Sequence, residues 1–197
     1  MAYDKGFYER YERYLKEESV RASHDLVFRQ FEKVAGERLY VVDLGCGLGE
    51  FCQYGLPYSY VGVDLNYIGG HFRLIKTDYH DLDAVKARLY PYLTPNAFVS
   101  LFSIECFHSA AEKYTLYRKI FETFPTIQFG LAGGFFYESK RGQETVGETG
   151  NIVSYQTIED PVLYISDIFA EFRLHIRTPS QMFDSDVIEV WKIFIRR

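Results

Sequence analysis

Between Val41 and Phe51 the chain reads Val-Val-Asp-Leu-Gly-Cys-Gly-Leu-Gly-Glu-Phe, with Gly45, Gly47 and Gly49 at alternate positions. Glycine tolerates positive φ and lets a backbone turn tightly and approach a ligand closely. A second acid, Asp64, closes the next apolar run, 19 residues after Gly45. In doubly wound folds an acid at that place hydrogen-bonds ribose hydroxyls. The glycine spacing is G-x-G-x-G. A dinucleotide site uses G-x-G-x-x-G and keeps the following helix N-terminus for pyrophosphate. Asp43 precedes this turn and Glu50 follows it. Two carboxylates repel a diphosphate and favour a cation. The pattern therefore fits a positively charged nucleoside better than a dinucleotide.

A second group of polar residues, Ser103-Ile-Glu-Cys-Phe-His108, follows the apolar run 97–104. In open α/β sheets the carboxyl ends of strands face the ligand crevice. Glu105 and His108 are thus candidates for contacting a substrate or removing its proton, and His108 suits that task near neutral pH. The same residues equally fit a polar strand end that only caps the next helix. Cys46, Cys52 and Cys106 form no CxxC pair, and Cys46 and Cys106 read as small packing residues. His71, His80 and His175 show no metal-ligand spacing, and His24 fits a helix cap or a core edge. No metal is expected.

These residues need elements to position them. The chain has 197 residues, 47% of them hydrophobic, with a net charge of −5. That length suits one compact domain, read as an N-terminal helical cover over 1–36 and a sheet domain over 37–197. Tyr and Phe stripes predict helices over 5–18 and 24–35. Continuous apolar runs predict buried strands at 39–44, 60–65 and 97–104, with a weaker strand at 72–77. A helix follows at 82–90. Ser109 and Glu112 have capping-box spacing, opening a helix that Pro125 ends. A strand is expected over 127–137, a polar loop over 138–151 and a strand at 152–156. Asp160-Pro161 reads as an N-cap opening a helix to about Phe172. Strands near 173–178 and 187–195 close the chain, too close together for a parallel crossover, so the last should be antiparallel. The fold class is α/β: a three-layer, doubly wound, mostly parallel sheet with an antiparallel last strand.

VVDLGCGLGEF and YVGVDL resemble the first two motifs of the class I (Rossmann-like) S-adenosylmethionine-dependent methyltransferases. Their ligand carries a sulfonium, an ammonium and a ribose but no phosphate, in keeping with the flanking acids. The resemblance covers residues 39–137, and the closing strands suit the family's antiparallel edge. It implies that Asp43, Gly45 and Gly47 line the methionine moiety, that Asp64 meets the ribose, and that Asp78 and Tyr79 meet the adenine. Cys46, Leu65 and Ser103 fall at the same crevice, and Arg21 takes the place of a basic residue for the methionine carboxylate. Two features depart from the family. Only 14 residues separate Asp64 from Asp78, where a full helix usually fits, and Gly55 and Pro57 cut the first helix short.

The resemblance implies methyl transfer by in-line displacement to nitrogen or oxygen of a small-molecule acceptor. The N-terminal helices and the 138–156 segment would cover the crevice. Alternatives are a non-catalytic cofactor- or partner-binding protein, a protein or RNA methyltransferase, and a nucleotide-dependent oxidoreductase. The acidic balance and the lack of a Pro-Pro-aromatic pattern near His108 argue against nucleic acid. Cys106 follows Glu105, where cytosine-C5 enzymes have proline before the cysteine. No apolar run is long enough to span a membrane and the start lacks a secretory h-region, so a cytoplasmic protein with reduced thiols is expected.

Overall fold

The computed structural model describes residues 5–36, 38–53, 59–65, 72–89, 94–137, 144–146, 152–154, 167–176 and 187–197. Two helices, α1 (Lys5–Lys16) and α2 (Glu18–Ala35), precede β1 (Tyr40–Leu44). Then follow α3 (Glu50–Gln53), β2 (Ser59–Val63), β3 (Arg73–Ile75), α4 (Leu82–Leu89) and β4 (Ala97–Leu101). The second half holds α5 (Ser103–Phe107), α6 (Ala110–Thr123), β5 (Phe129–Tyr137), β6 (Glu144–Val146), β7 (Ile152–Ser154), β8 (Phe169–Ile176) and β9 (Val187–Arg196).

Seven strands form one sheet in the order β3-β2-β1-β4-β5-β9-β8. The first five neighbours are parallel, and β9 runs antiparallel to both β5 and β8. Alternating side chains send Val41 and Val42 into different cores. On one face Val42, Val61 and Phe98 pack against α4 and α6 through Leu82, Val85, Tyr117 and Phe121. On the other, Val41, Val99 and Leu131 pack against α2 through Val27, Phe28 and Phe31, with Trp191. Helices on both faces make the fold a three-layer α/β sandwich with two N-terminal helices. Among the described residues no helix is long and apolar enough to cross a membrane.

Several boundaries differ from the sequence reading. Residues 169–172 belong to β8, so no helix runs to Phe172, whose neighbours pair with β9 across the ladder. Asp160 and Pro161 lie outside the described residues, as do Gly55, Pro57 and His71. The strand after Ala97 stops at Leu101, and Ser103 opens the short helix α5. Within 138–151, expected as loop, β6 forms and pairs antiparallel with β7, which falls in the strand expected at 152–156 and lies against α5. The capping box at Ser109 forms: its hydroxyl accepts from Glu112 N, and Glu112 Oε2 accepts from Ser109 N at 2.8 Å. Helix α2 starts at Glu18, ahead of the expected residue 24, and ends with Gly36 at φ 62°.

The cover is tied to the sheet by a buried polar cluster. His24 of α2 is completely buried and sits between Glu50 of α3 and Glu189 of β9. Its Nδ1 pairs with Glu50 Oε1, and its Nε2 lies 3.0 Å from Glu189 Oε2. From α1, Tyr11 donates to Glu50 Oε2 at 2.6 Å and Tyr14 donates to Glu189 Oε1. Trp191 Nε1 donates to Glu189 Oε2 at 2.8 Å. Burial alone disfavours the imidazolium, but the two carboxylates outweigh it and raise the His24 pKa to about 10. The stabilisation from this raised pKa is fully present below the unfolded histidine value near 6.5 and is lost as pH rises through about 10. His24→Gln should lower the unfolding free energy at pH 7 by about 3–5 kcal/mol, because two buried carboxylates lose their cation. Urea unfolding of both proteins across pH 6–11 should show that gap closing above pH 10; a pH-independent gap would remove the imidazolium from the account.

Candidate functional site

The glycine turn at the carboxyl end of β1 is left-handed at all three glycines, with φ 73° at Gly45, 47° at Gly47 and 68° at Gly49. Space constrains two of them as well. A Cβ on Gly45 would stand 2.2 Å from Ser103 Oγ, and one on Gly49 would stand 2.1 Å from the Phe72 ring. Gly45 N and Cys46 N both donate to Val63 O of β2, at 2.7 and 3.1 Å, locking the turn onto the neighbouring strand. Ser103 Oγ donates to Gly45 O at 2.9 Å, and Gly47 N donates to Asp64 Oδ2 at 2.9 Å. The turn, Asp64 and Ser103 therefore form one hydrogen-bonded rim.

Beneath this rim lies Asp43, 1% exposed. Its Oδ2 accepts from Tyr60 OH at 2.5 Å, while its Oδ1 has no partner among the described residues. Burial pushes the carboxyl up to about 8; Tyr60 opposes the shift, and Glu50 and Asp64 add to it. A buried acceptor atom without a donor is costly unless something positive or hydrogen-bearing meets it. The turn and the orphaned oxygen together fit a ligand bearing an ammonium or another cation.

From above, Tyr8 of α1 reaches over Gly47, with its ring carbon 3.8 Å from where a Cβ would stand. Burial, followed by the nearby Asp64 and Cys46, raises its hydroxyl to about 12, so it stays a neutral donor. Cys46 and Cys106 are buried thiols whose pKa values are also pushed up by burial, which leaves them inert as nucleophiles. Leu65 is 47% exposed beside Asp64. Tyr79 stands 3.3 Å from the same notional Cβ on Gly45, which brings it to the turn.

Asp78 lies one residue before it but is turned to His80: Oδ1 accepts from His80 N at 2.9 Å and lies 2.7 Å from His80 Nδ1. These bonds outweigh the effect of burial and hold the Asp78 carboxyl below its ordinary value. His108 Nδ1 donates to Ile104 O at 3.1 Å, and its Nε2 lies 2.7 Å from His80 Nε2. Ser103, Tyr79, His80 and His108 thus belong to one side of the crevice.

Glu105 does not. It comes two residues after Ser103, about half a turn of α5, which carries it to the opposite side, where it is fully buried. Lys192 Nζ donates to its Oε2 at 2.8 Å, Lys113 lies 3.5 Å from the same oxygen, and Tyr117 donates to Oε1. Burial would raise its pKa, but Lys192 and Lys113 win and hold it at about 2. A permanent carboxylate locked between two lysines is a core tie and has no surface to offer an acceptor. Arg21 is exposed on α2, and nothing among the described residues joins its guanidinium to the turn.

Sequence reasoning missed the supports of this site. Tyr60 on Asp43, Phe72 under Gly49 and His80 beside His108 come from distant segments. His80 alone carried a local signal, two residues after Asp78 in a segment already singled out. Phe102 is the other addition: its φ of 65° is the single positive value for a non-glycine among the described residues. That strain, roughly 1–2 kcal/mol, breaks β4 into α5 and swings Ser103 onto the turn. It is held by Phe102 N donating to Gly133 O at 2.6 Å and by the ring stacking on Phe135 at 4.1 Å.

No family model and no curated protein matches the chain. Solved structures do. The 1,6-didemethyltoxoflavin-N1-methyltransferase of Burkholderia thailandensis, solved with 1,6-didemethyltoxoflavin and S-adenosylhomocysteine, superposes with a TM-score of 0.64 at 12% identity, covering 100% of this chain and 91% of that one. Magnesium protoporphyrin IX methyltransferase from Synechocystis PCC 6803, with bound S-adenosylmethionine, gives 0.61 at 12% identity over 98% and 92%. The N-methyltransferase NodS of Bradyrhizobium japonicum, with S-adenosylhomocysteine, gives 0.58 at 12% identity over 96% and 97%. Strand order, antiparallel edge and these superpositions agree: the chain has the fold of the class I S-adenosylmethionine-dependent methyltransferases.

Proposed function

We propose that the protein transfers a methyl group from S-adenosylmethionine to a nitrogen or oxygen of a small-molecule acceptor. The observation that carries this reading is Asp43 Oδ1, a buried oxygen without a donor among the described residues, beneath a left-handed glycine turn. The three ligand-bound neighbours support the same cofactor, and two of them, named for 1,6-didemethyltoxoflavin and magnesium protoporphyrin IX, support a small-molecule acceptor. When bound, the cofactor supplies a methyl group on a positively charged sulfur, and that carbon–sulfur bond breaks as the acceptor's lone pair forms the new bond.

The chain's own residues then have distinct tasks. Asp43 meets the cationic methionine moiety, and the backbone of Gly45, Cys46 and Gly47 gives it close approach. Asp64 takes the ribose hydroxyls, exchanging or sharing its bond from Gly47 N. Leu65 and Tyr79 offer flat apolar surface to the adenine. Asp78, whose Oδ1 is held by His80, meets the adenine amine through Oδ2. Tyr8 closes the turn from the cover and keeps water out, which strengthens the electrostatics inside. His108 receives the acceptor's proton when the acceptor arrives protonated. Much of the rate comes from alignment, since in-line displacement needs no covalent intermediate.

Calorimetric titration with S-adenosylmethionine, S-adenosylhomocysteine and NAD tests the reading directly. Micromolar binding of the first two and none of NAD is expected; NAD alone, or silence from all three, overturns it. Asp64→Ala should weaken S-adenosylhomocysteine by about 10–100-fold, the worth of hydrogen bonds to a charged group. Gly45→Ala should abolish binding, because the methyl collides with Ser103 Oγ and the φ is left-handed.

Affinity should also follow pH. In the free protein Asp43 is protonated below about pH 8. A cation favours its carboxylate form, so binding below that pH expels a proton. The dissociation constant should therefore fall as pH rises from 6 to 8, by up to about tenfold per unit, and level off above it. Asp43→Asn should bind weakly and lose this slope; a slope that survives the substitution would assign it to another group.

A further inference from the structure

Two histidine rings meet at the rim of the crevice with their Nε2 atoms 2.7 Å apart. Two bare lone pairs cannot stand that close, so a hydrogen bond must join them and one proton must lie between them. The other ring nitrogens fix the remaining count. His108 Nδ1 faces the carbonyl of Ile104 at 3.1 Å and must carry hydrogen, because a carbonyl only accepts. His80 Nδ1 faces the Asp78 carboxylate at 2.7 Å and must carry hydrogen for the same reason. Three protons thus occupy four nitrogens. The pair bears one positive charge, balanced by Asp78.

The setting is asymmetric. His80 and Asp78 are about half exposed, at 50% and 51% of their side chains, while His108 is more enclosed. The Tyr79 ring, which reaches the glycine turn, stacks on His80 at 4.3 Å and lies 6.2 Å from His108. The charged groups around His108 come from two segments. His80 and Asp78 lie on the segment after β3. Glu112 and Lys113 lie on α6, and Glu112 is engaged by the Ser109 cap. Burial first, then the charge of His80 and, more weakly, Lys113 pull the His108 pKa below the ordinary imidazole value; Ile104 O and Glu112 oppose this and lose.

We propose that His80, anchored by Asp78, is a positioning residue that shares a proton with His108 and so keeps the His108 ring neutral, oriented and ready to accept a proton at Nε2. This role rests on the methyl-transfer reading above; the proton-sharing pair itself does not. An incoming N–H or O–H group replaces His80 as the partner of His108 Nε2. The acceptor's lone pair would form the new bond to carbon as the carbon–sulfur bond breaks with its electrons left on sulfur; the acceptor's bond to hydrogen breaks with its electron pair left on the acceptor, and the proton goes to His108 Nε2. The neighbouring charge on His80 then drives a proton from this exposed rim to bulk water, which resets the pair.

The test is the titration of the histidine ring nitrogens in uniformly ¹⁵N-labelled full-length protein, with chelator present, from pH 4.5 to 9. In the wild type His108 should titrate below the ordinary imidazole range, and the two Nε2 signals should move together, as coupled sites do. His80→Gln, which keeps a donor for His108 Nε2 but removes the charge, should shift the His108 midpoint upward. Asp78→Asn should shift it the same way. Both positions are exposed, so neither variant threatens the fold. A His108 midpoint unchanged by His80→Gln, or two independent titrations in the wild type, overturns the pair. So does removal of the chelator if Zn²⁺ at micromolar concentration then binds both Nε2 atoms, because a metal ion would explain their convergence instead. S-adenosylhomocysteine titration of the same samples separates the two readings. A wild type that does not bind it but keeps the coupled titration sinks the methyl-transfer reading alone.

Discussion

One buried imidazolium holds the cover of this molecule to its sheet. His24 meets Glu50, the first residue of the helix after the glycine turn, and Glu189, on the antiparallel strand β9. Two buried carboxylates this near a common centre would each face a desolvation penalty of several kcal/mol. The cation between them, with donors from Tyr11, Tyr14 and Trp191, offsets that penalty. The consequence reaches the site. Helix α1 is placed by Tyr11 and Tyr14, and its Tyr8 then lands on Gly47. The roof of the crevice is thus set by a charge cluster behind the turn, and the glycines themselves make no part of it.

Three buried carboxylates near the strand ends show how environment divides one chemistry into separate roles. Glu105 has two lysines and stays ionised. Glu189 shares the His24 cation. Asp43 has one tyrosine and neighbouring negative charge, so its pKa is driven up and one oxygen remains without a donor. The first two are satisfied by the protein alone. The third keeps one oxygen without a donor among the described residues, and that difference is what the proposed binding role rests on.

Among the described residues the one non-glycine with positive φ lies at the same rim. Phe102 takes a left-handed conformation that β4 and α5 jointly impose, and stacking on Phe135 together with the bond to Gly133 O holds it there. Without that corner, Ser103 would continue a strand and could not donate to Gly45 O. The apolar pattern through Ile104 reads as strand because a one-residue left-handed break leaves no mark on hydrophobic periodicity.

Much of the fold was legible from local pattern. Apolar runs marked β1, β2 and β4, aromatic stripes marked α1 and α2, and Ser109 with Glu112 marked the start of α6, because these signals act within a few residues of where they are read. The glycine turn and Asp64 were legible for the same reason: positive φ at three near neighbours demands glycine, and the strand end demands nothing further. Tertiary structure decided the rest. Residues 169–172 became strand because β9 offers them a ladder partner, which no local preference could reveal. Glu105 and His108 are three apart in sequence, but Glu105 lies on α5 and enters the core, while the chain leaves the helix at His108 in extended conformation, so that ring meets His80 instead. His80 found His108 across 28 residues and His24 found Glu189 across 165, pairings that depend on where the sheet brings separate segments. Sequence spacing determines which backbone can turn and which face is apolar; only the packed sheet determines which buried charges end with a partner.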